Sequence, residues 1–205
     1  RAFFDAFGEF VVRRRTPLLW GMAAIIIGLA AGVPQVELND NWTKYFDERY
    51  EFRRDTDYII NNLTGVEAFE FSLPAGGEGA INDPEYIANV DKFADWYRSQ
   101  PKIIHVSAFP DIMKRLNKNM HGDDPAYYRI PEEHDLAAQY LLLYELSLPF
   151  GRDLNDQIDV GKSATRMTVI GRDMSAKEQR ASADAANQWL KDNMPDGMAT
   201  EATGL

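Results

Sequence analysis

The chain has 205 residues, a net charge of −10 and no cysteine. Residues 1–33 carry four arginines against Asp5 and Glu9, a net +2, while the remaining 172 hold 18 basic and 30 acidic side chains, a net −12. So acidic a body argues against nucleic acid as a partner, because phosphate contacts need Lys and Arg, and the missing thiols rule out disulfides, thiolate metal sites and cysteine nucleophiles.

Residues 2–12, AFFDAFGEFVV, place Phe3, Phe4, Phe7, Phe10 and Val11 at helical spacing with Asp5 and Glu9 opposite. That pattern predicts an amphipathic helix, interfacial if a membrane span follows and packed on protein otherwise. Arg13, Arg14 and Arg15 come next, and then Thr16–Val36, twenty-one residues without a charge. At ~1.5 Å per residue such a run spans ~30 Å, the thickness of a bilayer's hydrocarbon core. Trp20 falls near its start, and Gly28 and Gly32 form a GxxxG pair, which lets membrane helices approach closely. Basic residues flanking a span stay cytoplasmic. Past the span, Glu37, Asp40, Asp47 and Glu48 outnumber Lys44. The N-terminus is therefore expected in the cytoplasm and the body of the chain outside it. A secretory signal peptide shares the order of basic then apolar residues, but this run is long for one and sits behind an amphipathic helix.

Pro34 ends the span, and residues 35–47 read as a connector or short strand with Trp42, Tyr45 and Phe46 placed to sit at the interface. A helix is expected over 48–63, with Thr64-Gly65 as its glycine stop. Val66–Leu73 alternates as a half-buried strand. Pro74–Gly79 lacks the GxxxxGK[ST] spacing of a phosphate cradle and reads as a loop. Asp83-Pro84-Glu85 predicts a capped helix to Ser99. A second strand over 102–109, a short basic helix over 110–120 and a turn-rich loop to 130 follow. Residues 131–148 form a strongly apolar helix, too short and too polar for a second span. A loop, a third strand over 163–172 and a helix from Ser175 to Asn193 come next, and residues 198–203 begin a fourth strand. The fold class is α+β, with helices on one face of a small sheet.

Two groups carry metal-ligand chemistry, His121-Gly-Asp-Asp124 and Glu132-Glu-His-Asp135. Neither has a recognised ligand spacing, and the carboxylates at 132, 133 and 135 equally suit the first turn of a helix, where the dipole favours negative charge. Only three histidines are present and G-x-S-x-G is absent, so no enzyme, catalytic residue, metal or cofactor is expected. The missing initiator Met, and the absence of a closing element at the other end, lead us to expect a piece of a longer polypeptide.

Met113-Lys-Arg-Leu-Asn-Lys-Asn-Met-His-Gly-Asp-Asp-Pro125, followed by Leu136-Ala-Ala-Gln-Tyr-Leu-Leu-Leu-Tyr-Glu145 and Ser147-Leu-Pro149, resembles the exoplasmic domain of RND-superfamily exporters of the MMPL and hopanoid-exporter type. Phe46-Asp-Glu48, Phe52-Arg53 and Leu63-Thr-Gly65 resemble the start of that domain, and Asp153-Leu-Asn155, Gln157-Ile-Asp159 and Lys162-Ser-Ala-Thr-Arg166 its later part. The resemblance covers essentially the whole chain and is specific over 113–166. It implies a proton-driven transporter of two similar halves in a bacterial inner membrane, moving hydrophobic or lipid-like substrates. This chain would supply the first membrane helix and porter domain of the second half. Residues 1–15 would be the interfacial helix with its basic flank, 16–36 the transmembrane helix, and 37–205 a periplasmic α/β sandwich of βαβ-type units. Expected partners are membrane lipids, the remaining transmembrane helices and the other half, with a second copy or an accessory protein beside them. The family's proton-relay acids lie on later helices, so none is carried over here. The apolar helix at 136–148 and the aromatic strand at 69–73 fit either the lining of a substrate path or the core. Two alternatives remain, a single-span anchored domain serving as an assembly or interaction factor, and an exported sensor.

Overall fold

A computed structural model gives the structure, which describes residues 2–33, 42–149 and 151–204. The chain divides into two compact units, residues 1–39 and 40–205.

The first unit holds α1 (Ala2–Arg13) and α2 (Arg15–Gly32). The two are nearly continuous. Only Arg14 leaves helical geometry, with φ −107° and ψ 20°. Its N–H still donates to the Phe10 carbonyl at 2.9 Å, and its own carbonyl accepts from Leu18 at 3.0 Å. Pro17 falls in the first turn of α2, where a missing N–H leaves no intrahelical bond unmade. α2 is long and apolar enough to cross a membrane, spans ~27 Å at 1.5 Å per residue, and has no buried residue within the chain. It is shorter than the expected run to Val36: Val33 is in a 3-10 turn, and Pro34 to Val36 lie outside the described residues.

The second unit is a mixed α+β domain. Among the described residues a 3-10 turn, Trp42–Tyr45, leads to α3 (Glu51–Asn62), and then come β1 (Glu67–Pro74), α4 (Pro84–Arg98), β2 (Ile103–Ser107) and α5 (Phe109–Met120). α6 (His134–Ser147), β3 (Ala164–Gly171) and α7 (Ala176–Asn193) complete it. The connector expected at 35–47 is thus helical over its described end rather than a strand. The N-cap signals are realised: the Asp83 carboxylate accepts from the Glu85 N–H at 2.9 Å, and Ser175 and Glu178 form a reciprocal capping box.

The sheet has the order β1-β3-β2, and both outer strands run antiparallel to β3. This corrects the expected βαβ-type units. The connection β1-α4-β2 has the directions of such a unit, but β3 occupies the place between its two strands, so no parallel pair forms. Strand periodicity reports which face is buried and carries no information on which strand pairs with which. The fourth strand reduces to a bridge, in which Thr203 and Glu70 exchange backbone hydrogen bonds of 2.9 and 3.0 Å on the outer edge of β1.

One face of the sheet is buried. Phe69, Phe71 and Leu73 of β1 alternate inward, as do Thr165, Met167 and Val169 of β3, and all are at most 2% exposed. α4 and α7 lie over them. Phe93 sits edge-on to Phe71 at 5.2 Å and stacks on Trp189 at 5.4 Å, joining strand, α4 and α7 through one aromatic cluster. The buried Tyr86 hydroxyl donates to the Leu73 carbonyl and lies 2.7 Å from Thr165 Oγ1, so the core's one strand hydroxyl is satisfied. The opposite face stays polar, with Arg166 pairing Glu70 at 3.3 Å.

Gly65 also differs from expectation. α3 ends at Leu63 in right-handed geometry, and Gly65 is not among the residues of positive φ. Glycine is required there because a Cβ would overlap the carbonyl oxygen of Gly171, at the start of the β1–β3 ladder.

Candidate functional site

In the second unit a cleft of about 1020 Å³ opens where β2, α5 and the C-terminal half of α6 meet. Its position follows from the topology. β2 is an edge strand, so one of its sides is left without a strand partner. α5 follows it after a single residue, Ala108, because Pro110 at the start of a helix fits only the first turn.

Apolar and polar side chains share the lining about equally. Of the apolar ones, Ile103 and Ile104 come from β2, Ile112, Leu116 and Met120 from α5, and Leu143 and Tyr144 from α6, with Tyr128 at the side. Ile104, Met120, Tyr128 and Leu143 are 39–50% exposed, so this apolar surface meets water. Concave apolar surface with polar groups beside it is the usual make-up of a ligand site.

Ion pairs fix the frame of the cleft. Arg98, at the end of α4, donates to Asp95 at 2.8 Å, to Asp111 of α5 at 2.6 Å and to the Val106 carbonyl of β2 at 3.3 Å. Burial alone would lower the Arg98 pKa, but Asp95 and Asp111 outweigh it, so the guanidinium is held charged more firmly than usual. Lys114 of α5 donates to Asp91 of α4 at 2.6 Å, with both side chains 16% exposed. Arg115 and His105 add further polar groups to the rim. The arrangement offers a patch of exposed apolar side chains beside charged and polar ones, able to meet a ligand with both an apolar and a polar part.

α6 contributes to the site with only part of its surface. Ala137, Tyr140 and Leu141 face the core, Leu143, Tyr144 and Ser147 line the cleft, and Leu142 and Leu146 are 52% and 75% exposed outside it. Lys162 holds its outer turn through Glu145 at 2.7 Å, and Asp159 organises that loop by accepting from Ser163 N at 2.6 Å, Ser163 Oγ at 2.7 Å and Ala164 N at 2.8 Å. The Ser163 side-chain hydrogen bond, joined by backbone N–H groups of the same loop and opposed by burial, lowers the Asp159 pKa. In the aromatic strand at 69–73, Phe69, Phe71 and Leu73 are buried in the core.

The structure gives the two metal-ligand groups other roles. His121 stacks on Tyr127 at 3.7 Å, and its Nδ1 lies 2.8 Å from the Asn117 carbonyl, so it closes the end of α5. α6 begins at His134, not at Pro131, which leaves Asp135 as the only one of the three carboxylates inside its first turn. Glu132 pairs with Arg129 at 2.9 Å. Among the described residues no three His, Asp or Glu side chains gather as a metal site.

In the first unit Phe4, Phe7 and Phe10 are 75%, 57% and 54% exposed, Trp20 is 69% exposed, and Arg13, Arg14 and Arg15 are open to solvent. The Phe3 side chain lies outside the described residues. A Cβ at Gly28 or Gly32 would meet nothing within 4 Å. Sequence reasoning singled out the apolar helix that supplies Leu143 and Tyr144. It read β2 as a strand but gave it no part in a site, and it missed Tyr128 and the Arg98–Asp111 pair, whose members stand thirteen residues apart and share no local pattern.

The chain thus combines a helix of membrane-crossing length and an α+β domain with an open cleft of mixed lining. No family model matches this chain, and no curated protein matches it.

Proposed function

We propose that this chain is the opening part of the second half of a proton-driven RND-type exporter in a bacterial inner membrane. Its N-terminus lies in the cytoplasm and its α+β domain in the periplasm. Hydrophobic or lipid-like molecules pass along the cleft between β2, α5 and α6, and α2 packs through Gly28 and Gly32 against spans contributed by the rest of the transporter. Phe3, Phe4, Phe7, Phe10, Arg13 to Arg15 and Trp20 hold α1 and the start of α2 at the cytoplasmic interface.

The observation that carries this reading is the cleft's solvent-open apolar patch, on a domain that directly follows a helix of membrane-crossing length. The test uses a photoactivatable acyl-chain lipid with the full-length protein in membranes. We expect crosslinks on 103–128 and 134–147. Leu143→Asp should weaken labelling roughly 10- to 100-fold, the equivalent of one buried leucine at ~1.5–3 kcal/mol. Labelling that ignores Leu143→Asp would refute the reading.

A second reading, an anchored assembly factor, has its own support in Leu142 and Leu146, which lie outside the cleft and are half or more exposed. In that case Leu142→Asp with Leu146→Asp would release a protein partner and leave lipid labelling intact.

A further inference from the structure

The second unit carries an amphipathic helix that its own core does not cover. No residue of α3 is buried. Phe52, Thr56, Ile59, Ile60 and Leu63 fall within an arc of about 100° on a helix of 3.6 residues per turn. The opposite side carries Glu51, Arg54, Asp55, Asn61 and Asn62. Ile59 and Leu63 are 42% and 70% exposed, and the preceding Phe46 and Tyr50 are 45% and 62% exposed. Phe46 packs edge-on against Phe52 at 5.3 Å and against Tyr50 at 6.5 Å, so the aromatic end of the stripe forms one group.

We propose that α3 and the Phe46–Tyr50–Phe52 group lie in the interfacial layer of the bilayer, on the side of the membrane opposite α1. The proposal rests on the reading of α2 as a membrane span. Three observations favour a lipid surface over a protein. Nine peptide steps lead from Val33 to Trp42, a reach of at most ~30 Å, so this segment begins close to the membrane that α2 would cross. The segment leading into the stripe adds Phe46 and Tyr50 to Phe52, and tyrosine is a side-chain type that sits where apolar tails meet head groups. The charged side is not basic, with Arg53 and Arg54 against Glu51, Asp55 and Asp57, a net −1. Attachment therefore comes from apolar insertion rather than attraction to anionic lipid, and zwitterionic phosphatidylcholine suffices as the surface. On this view amphipathic helices flank the span on both sides, and α3 sets the height of the α+β domain above the bilayer.

The absence of native cysteine makes the test direct. Single cysteines replace Ile26, Asp55, Ile59 or Leu63 in the whole chain, each is labelled with a nitroxide, and the protein is reconstituted in phosphatidylcholine vesicles. Collision with oxygen and with a water-soluble nickel chelate then gives the depth of each label. We expect Ile26 deep in the hydrocarbon, Ile59 and Leu63 ~5–10 Å below the head groups, and Asp55 in water. Ile26 in hydrocarbon with Ile59 and Leu63 as nickel-accessible as Asp55, or shielded from both reagents as under a protein, overturns the proposal and leaves the span reading standing. Ile26 in water overturns both.

Discussion

α3 and α4 are amphipathic helices of twelve and fifteen residues, and they end in opposite surroundings. α4 buries Tyr86, Ile87, Val90, Phe93, Ala94 and Tyr97 against the sheet and α7, whereas α3 buries nothing. Their sequences share the same alternation of faces. The difference is that α4 connects two strands of one sheet and is forced to lie across it, while α3 precedes the first strand and has no second attachment to the core. An apolar stripe states that a face needs cover. The chain's connectivity decides whether the domain itself supplies it.

The strongest break of this contrast is Phe93→Ala. It removes a fully buried ring from the cluster with Phe71, Trp96 and Trp189, and should cost about 3–5 kcal/mol. Ile59→Ala on α3 should stay within about 0.5 kcal/mol. Urea unfolding followed by tryptophan fluorescence measures both, and comparable losses would mean that α3 is docked after all.

The same contrast recurs within α6. Leu141, fully buried, should cost about 2–5 kcal/mol on truncation to alanine, and its neighbour Leu142, 52% exposed, about 0.5 kcal/mol or less.

Tyr86→Phe sharpens the α4 side more gently. It deletes a buried hydroxyl that bridges Leu73 and Thr165, at about 1 kcal/mol. Burial pushes the Tyr86 pKa up to about 12, from 10.0. The neutral phenol is the form the folded state holds, so its stabilisation is complete below pH 10 and is lost as pH rises from 10 through 12. The phenylalanine variant should lack that alkaline decline in a pH series of melting temperatures.

The smallest effect belongs to Glu178, at the exposed start of α7. Its hydrogen bond with Lys102, reinforced by Ser175, lowers the pKa from 4.5 to about 2. The stabilisation is present above pH 4.5 and disappears as pH falls toward 2. Glu178→Gln should flatten that acid limb slightly and leave neutral stability nearly unchanged, as befits an exposed pair.

Much of the fold was legible along the chain. The alternation of Phe69, Phe71 and Leu73, the Asp83-Pro84 cap and the helix start at Ser175 each act within a few residues, and each formed as read, Glu178 adding a capping box that was not read. Pairing was not legible. β3 lies ninety residues after β1 and inserts between β1 and β2, which turned the expected βαβ units into an antiparallel sheet. Gly65 was read as a helix stop from its position, when its small size is needed by Gly171 on another strand.

The sequence by itself determined an apolar, uncharged helix of membrane-crossing length behind three arginines, an acidic α+β body and the caps of its helices. These depend on composition and on spacing over one or two turns. Only the tertiary structure decided that β2 is an edge strand, that Arg98 reaches Asp111 to frame a cleft beside it, and that α6 divides its leucines among core, cleft and solvent. Those outcomes depend on contacts between residues far apart in the chain, whose geometry follows from how the strands are ordered rather than from any local pattern.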